Sequence, residues 1–188
     1  MQTRETATMR YAVVDVETTG FSPRDDRVVE MACVVLENRT ITQSWSTLVN
    51  PARPIPYYAT RVHGITDDDV ANAPAFEIAQ RQLRRLCVGA TVVAHNASFD
   101  LGFLPALAHL PSLCTLRLAR HCFPEAPNHK NQTLRHYLGV DEDLRCHPEL
   151  VEGLQPEGWM AHRALGDALV TAVILLRCLD RFELNRSA

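Results

Sequence analysis

Nowhere in this 188-residue sequence do two cysteines stand at C-x-x-C spacing, the usual signature of thiolate metal sites and dithiol redox centres. The cysteines that do occur, Cys33, Cys87, Cys114, Cys122, Cys146 and Cys178, fall mostly inside apolar runs. They read as buried free thiols, which suits a reducing compartment. No apolar stretch reaches membrane-spanning length, and the opening "MQTRETATMR" has no apolar h-region. The expectation is a cytoplasmic protein with no membrane partner. Internal repeats and low-complexity segments are lacking as well. So is net positive charge: the formal balance is −3, so whole-molecule attraction to nucleic acid is not indicated. A nucleic-acid enzyme would need a local basic patch or bound cations instead.

What is present is ordinary in bulk, with 46% hydrophobic and 22% charged residues, as in a globular domain. A chain of this length suits one domain and buries roughly 70% of its unfolded surface. Residues 1–9 are polar and expected to fray, as a flexible N-terminus. "RYAVVDVE", "VVEMACVVLE" and "TITQSWSTLVNP" read as three consecutive strands, an antiparallel meander with "SPRDDR" as its first turn. "PARPIPYYATRVHGIT" reads as an extended, irregular connection, and "TDDDVANAP" as a helical turn capped by Thr66 or Asp67. "AFEIAQRQLRRLC" has helical period. "ATVVAH" is a short buried strand, followed by a short helix in "NASFDLGFLPAL" that Asn96 or Ser98 caps and Pro105 limits. "CTLRLARHCF" and "NQTLRHYLGV" read as further short helices. Residues 141–160 are polar, with two prolines and two glycines, and read as a surface loop. "HRALGDALVTAVILLRCLDRF" closes the chain as a long helix with its apolar stripe at 164, 165, 168, 169, 172, 176 and 179. Strands first, then a strand–helix unit and more helices, imply an α/β fold: a mixed sheet with helices on its faces.

Against this frame the acidic residues stand out. Asp15 and Glu17 are two apart on a strand, so both point to one face, very roughly 7 Å apart. Like charges beside a core repel and raise each other's pKa. A central strand rarely carries such a pair unless a cation neutralises it. Asp100 falls in the first turn of the helix after the buried strand, and Asp167 in the first turns of the last helix. Taken singly, Asp100 and Asp167 read as caps or dipole partners. Together with Asp15 and Glu17 they make a hard oxygen cage suited to Mg²⁺ or Mn²⁺ rather than zinc. His162 and Asp167 are separated by about 140° around a helix. If both serve one site, His162 lies just ahead of the helix.

"DVETTG", "VAHNASFD" and "HRALGD" together resemble the three motifs of the DnaQ-like 3′–5′ exonuclease superfamily, in its DEDDh branch. Asp15, Glu17, Asp100, His162 and Asp167 meet the pattern in order across residues 11–181, and "VHGIT" at 62–66 resembles a further family segment. Within the branch, the likeness points to the group of exonuclease X and the polymerase III epsilon subunits. The resemblance implies a ribonuclease H-like mixed five-stranded sheet flanked by helices, filling a single domain over 10–182 with a short tail at 183–188. It implies hydrolysis of the terminal phosphodiester at DNA 3′ ends, releasing nucleoside 5′-monophosphates in repair or proofreading. RNA 3′-end trimming is the alternative, and a non-catalytic nucleic-acid-binding module the rival from another class. Asp15, Glu17, Asp100 and Asp167 would hold two Mg²⁺ (or Mn²⁺) ions, with His162 as general base. The chain stops soon after the last helix, so attachment to a polymerase is not expected.

Four further residues have two readings each. Thr18 and Thr19 bind the last nucleotide through their backbone or simply turn the chain. His63 lies against the terminal bases or is an exposed loop histidine. Asn96 is a helix cap, a substrate contact or both. Phe99 is read as core. Arg117, Arg120, His121, His129, Lys130 and Arg135 form a basic stretch that is either solvated or, if gathered on one side, a guide for the phosphate backbone.

Overall fold

The Val-rich and alternating runs pair as an antiparallel meander: β1 (Arg10–Thr18), β2 (Val28–Glu37) and β3 (Thr40–Leu48). The computed structural model, which describes residues 9–146 and 162–187, adds two parallel strands beyond β1. These are β4 (Thr91–Ala94) and β5 (Ser112–Cys114), giving the order β3-β2-β1-β4-β5. Helices α1 (Tyr57–His63), α2 (Asp67–Val70) and α3 (Phe76–Leu86) link β3 to β4. Helix α4 (Ala97–Phe103) follows β4, and α5 (Thr115–Cys122) follows β5. Helices α6 (Asn131–Tyr137), α7 (Val140–Cys146) and α8 (Ala164–Ser187) complete the described chain.

Strand parity sorts the core into two layers. Ala12, Val14 and Val16 point to the face covered by α3 and α4, against Ala79, Leu83, Ala97 and Phe103. Val13 points to the opposite face, where α8 packs Ala168, Leu169, Ala172 and Leu175. Asp15 and Glu17 share the parity of Val13, so both carboxylates emerge on the α8 side. Strand β2, between β3 and β1, is buried along nine of its ten residues, because neighbours cover both its faces and both its edges. A smaller cluster of Val29, Ile55, Ala59, Ile65 and Val70 seats α1 and α2 beside the same end of the sheet. Ligand sites form at the carboxyl ends of parallel strands, and here β4 stops at Ala94, just past the Val13–Val93 pair, while β1 runs on to Thr18 and carries Asp15 and Glu17 beyond it.

The structure departs from the sequence reading at four places. Residues 57–63, expected to be extended, are helical. The prolines precede this helix rather than interrupt it: Pro56 takes the N-cap position at φ −61° and ψ 141°, and Gly64, at φ 75°, ends the helix in the left-handed region. The fifth strand is a three-residue piece, too short to leave a period, and it takes Cys114 from the expected helix. Residues 141–146, expected in a loop, continue as α7, whose Val140 and Leu144 are buried in the α8 layer. The rest of that expected loop, 147–160, lies outside the described residues, as do residues 1–8 of the expected flexible N-terminus. The expected tail from 183 is a continuation of α8 to Ser187.

Asn96 does occupy the N-cap position of α4, yet its side chain accepts no helix amide. It sits at φ 68°, a conformation asparagine tolerates, and Ser98 donates to its Oδ1 at 3.5 Å. Thr66 caps α2 with a reciprocal box to Asp69. Cys33, Cys87, Cys122 and Cys178 are buried free thiols, and Cys114 is half-buried. Among the described residues no helix is long and apolar enough to cross a membrane.

Candidate active site

The final turn of β1 opens the site. One carboxylate oxygen each from Asp15, Glu17 and Asp167 lies within 4.8 Å of the others. Asp167 reaches this point from the first turn of α8, which lies against the face that Asp15 and Glu17 share. Asp100 arrives from the other layer: it is 3% exposed, on α4, and its Oδ1 accepts the Val16 N–H at 3.2 Å. It therefore stands outside the three-carboxylate group but close enough to raise the pKa of both Asp15 and Glu17.

Electrostatics follow from this crowding. Burial, then Asp100, Asp167, Glu17 and Glu30, push Asp15 well above the usual carboxylate range. Glu17 is pushed up to about 8 by burial, with Asp167, Glu30 and Asp100 adding to it and Arg163 opposing. Asp100 rises to about 7 through burial, although the amides of Asp100 and Val16 hold it back. Asp167 rises to about 6 through burial, restrained by His162, Arg135 and Gln132. Four acidic groups in one place, each made reluctant to ionise, form a site whose charge a cation would balance.

His162 precedes α8 by two residues, in an exposed turn with φ 58°. The 140° problem is thus solved by geometry: the residue lies ahead of the helix, and its charge and backbone amide both act on the Asp167 carboxyl.

Sequence reasoning missed the residues that hold this turn in place. Glu30, directly opposite Glu17 in the β1–β2 register, is 4% exposed. It accepts a two-pronged bond from Arg163, Nε at 3.0 Å and Nη2 at 2.7 Å, and a third from the Ala164 N–H at 2.9 Å. One carboxylate thereby ties the start of α8 to the sheet and satisfies an open helix N-terminal amide. The available signal was a lone glutamate inside the otherwise apolar run "VVEMACVV". Gln132 was missed too. Its Nε2 donates to Asp167 Oδ1 at 2.5 Å, while Asn131 donates to the Asp167 carbonyl and to Thr171. That signal was not in the local pattern, since both residues open the short helix α6.

The remaining candidates divide. Thr19 is wholly engaged in its own turn: N–H to the Arg27 carbonyl, hydroxyl to Asp26, and carbonyl accepting from Tyr58. Thr18 donates its hydroxyl to the Gly20 carbonyl at 2.6 Å. A Cβ at Gly20 would sit 2.5 Å from the Asp26 carboxylate, so any larger residue there would displace that side chain. His63 is not an exposed loop residue. It ends α1 at 5% exposure, with Nδ1 accepting the Ile65 N–H and Nε2 left without a hydrogen bond. Burial holds its imidazole below the ordinary pKa, outweighing the pull of Glu30 and the Thr18 backbone. Asn96 is exposed beside the end of β4. Phe99 is half-buried, between the rings of Phe21 and Phe103. Of the basic stretch, Arg117, Arg120 and His121 are exposed on α5, Lys130 is exposed ahead of α6, Arg135 pairs with Asp141, and His129 bonds the Phe123 carbonyl.

A mixed β3-β2-β1-β4-β5 sheet with carboxylates converging at the end of its central strand defines the ribonuclease H-like class of nuclease folds. The Exonuclease (RNase_T) family matches residues 12–175, and the chain belongs to it. It is 38% identical to a DNA polymerase III subunit epsilon-like protein of Rhodobacter capsulatus, over 93% of the chain and 24% of that protein. It is 36% identical to the 3′-5′ exonuclease DinG of Bacillus subtilis, over 93% of the chain and 18% of that protein. The chain thus spans a quarter or less of the length of these curated relatives. Among solved structures, exonuclease X in complex with 5′ overhanging duplex DNA matches with a TM-score of 0.70 at 31% identity. That match covers 92% of this chain and 91% of the other.

Proposed function

We propose that the protein is a metal-dependent 3′–5′ exonuclease that hydrolyses the terminal phosphodiester of DNA to release nucleoside 5′-monophosphates, in repair or proofreading. The observation that carries this is the meeting of Asp15, Glu17 and Asp167 within 4.8 Å, with Asp100 beside them. Family membership and the likeness to exonuclease X support it.

The residues present fit divalent cations. All donors are carboxylate oxygens, and burial raises the pKa of each, with acidic neighbours adding to it at Asp15 and Glu17, so a cation would stabilise their charged forms. Asp15, Glu17, Asp100 and Asp167 would hold two Mg²⁺ or Mn²⁺ ions. When bound, the ions supply Lewis acidity that activates water and neutralises charge on phosphate. In the reaction, a water oxygen bonds to phosphorus as the bond to the preceding 3′ oxygen breaks. His162 takes the water's proton, for which its exposed imidazole is placed, since it can pass the proton on to bulk water. Gln132 occupies one oxygen of Asp167 and so orients the other. Glu30 and Arg163 hold the His162 turn. Exposed Asn96 is placed to meet the terminal nucleotide, while buried His63, Thr18 and Thr19 support that wall from behind.

The test is time-resolved product analysis on 5′-labelled and 3′-labelled DNA and RNA oligonucleotides, single- and double-stranded, with and without Mg²⁺. Mononucleotides released first from DNA 3′ ends, only with metal, is the expected result. Preference for RNA would assign the trimming role instead. No release from any end would leave a binding module.

A further inference from the structure

Helix α1 turns an unusual face to solvent. Its inward residues are Ala59 and His63, while Tyr57 is 77% exposed, Tyr58 57% and Val62 55%, with Arg61 exposed among them. Residues four apart on a helix lie over one another, so Tyr57 stacks above Arg61 and Tyr58 above Val62. A face meant only for water carries polar side chains; this one carries two phenol rings, a valine and a guanidinium.

Its position is fixed against the acidic site. The Tyr58 hydroxyl donates to the Thr19 carbonyl at 3.1 Å, two residues past Glu17, which also holds the ring in place. At the other end of α1, His63 is buried and lies within electrostatic reach of Glu30. The strip therefore borders the turn that leaves β1. Cations accompany it. Arg53 bonds the Asp25 carbonyl, and Arg27 bonds the Asp26 carbonyl at 2.8 Å. Among the described residues neither these guanidinium groups nor that of Arg61 pairs with a carboxylate.

We propose that the Tyr57–Tyr58–Arg61–Val62 strip is a stacking track for unpaired nucleotides just upstream of the scissile end, so that the substrate is a 3′ strand with several bases free. The inference rests on the exonuclease reading and names the form of its substrate. Exposed rings beside unpaired cations are what sequence-tolerant single-strand binding requires, since every base has a face to stack and every link a charge to neutralise. Four residues of helix rise by about 6 Å, room for about two bases at a spacing of about 3.4 Å. Bases held in a duplex are already stacked and paired, and cannot lie on the strip.

The experiment compares wild type, Tyr57→Ala and Arg61→Ala on a dinucleotide and on a single-stranded octanucleotide. Anisotropy of a fluorescent octanucleotide measures binding to the same proteins without metal. The Tyr57 ring is largely in water, so its removal leaves the fold intact. For Tyr57→Ala the expected result is a KM on the octanucleotide raised about fivefold or more at unchanged kcat, the same loss in anisotropy, and no change on the dinucleotide. Arg61→Ala is expected to flatten the salt dependence of binding. An unchanged octanucleotide KM would overturn the proposal and hand the strip to a protein partner. An equal rise on both substrates would overturn it as well. If wild type itself releases no nucleotide, the exonuclease reading fails and takes the track with it, a result visible in the wild-type data alone.

Discussion

At the scale of single residues, the site separates groups that bear charge from groups that move protons. Asp15 sits where burial and four acidic neighbours oppose its ionisation, so Asp15→Asn removes a repulsion as well as a ligand. Activity should fall by roughly three orders of magnitude, while the metal-free protein gains about 0.5–2 kcal/mol, the usual exchange at a strained site. Kinetics with Mg²⁺ and a thermal melt without it check both halves; wild-type turnover in this variant would remove Asp15 from the reaction. His162 behaves differently because it stands ahead of α8 in an exposed turn. His162→Ala should lower kcat by about 100-fold or more and leave metal affinity nearly intact. Calorimetric loss of metal binding would instead make His162 a ligand.

At the scale of elements, the decisive joint is between β2 and α8. Glu30 meets Arg163 through both prongs and the first amide of the helix, so the helix carrying Asp167 and the turn carrying His162 are set by one buried carboxylate. Glu30→Gln keeps the shape but loses the charge that Arg163 needs. It should cost about 1–3 kcal/mol of stability and lower kcat more than it changes KM, as measured by melting and steady-state kinetics. Full kcat in a folded variant would reduce Glu30 to a purely structural role. This joint also marks where the sequence stopped being legible. The self-repelling Asp15–Glu17 pair, the strand-then-helix Asp100 and the five-residue spacing of His162 and Asp167 are local patterns, and each could be read one segment at a time. Glu30, Gln132 and Asn131 work through contacts that span 35 residues or more, and nothing in their own neighbourhoods reports the partner. The helical α1 was masked by the prolines ahead of it, although Pro56 and Gly64 carried the start and stop signals. β5 was masked by brevity, and the start of α7 by its polar composition, which hid the two residues it buries.

Over the whole molecule, the acidic site sets how stability depends on pH. Glu17 at about 8, Asp100 at about 7 and Asp167 at about 6 all exceed the roughly 4 of an unfolded carboxyl, and Asp15 is raised in the same sense. Between those limits the native state holds more protons than the unfolded chain, so stability falls as pH rises. Two histidines act in the opposite sense: burial lowers the pKa of His63 and His95, so around and below about 6.5 the unfolded chain binds more protons at these groups and their contribution to stability rises with pH. Above that point the carboxyls act alone among these groups. The metal-free protein should therefore lose Tm steadily from pH 6.5 to 8.5, and Asp15→Asn should flatten the decline. Added Mg²⁺ should raise Tm more at pH 8 than at pH 6.5, because at the lower pH it must displace protons to bind. Scanning fluorimetry across this range, with and without Mg²⁺, reads both slopes. A metal-free Tm that holds level or climbs over the interval would mean that the carboxylates are not forced together as the geometry requires, and the cation would then have no repulsion to relieve.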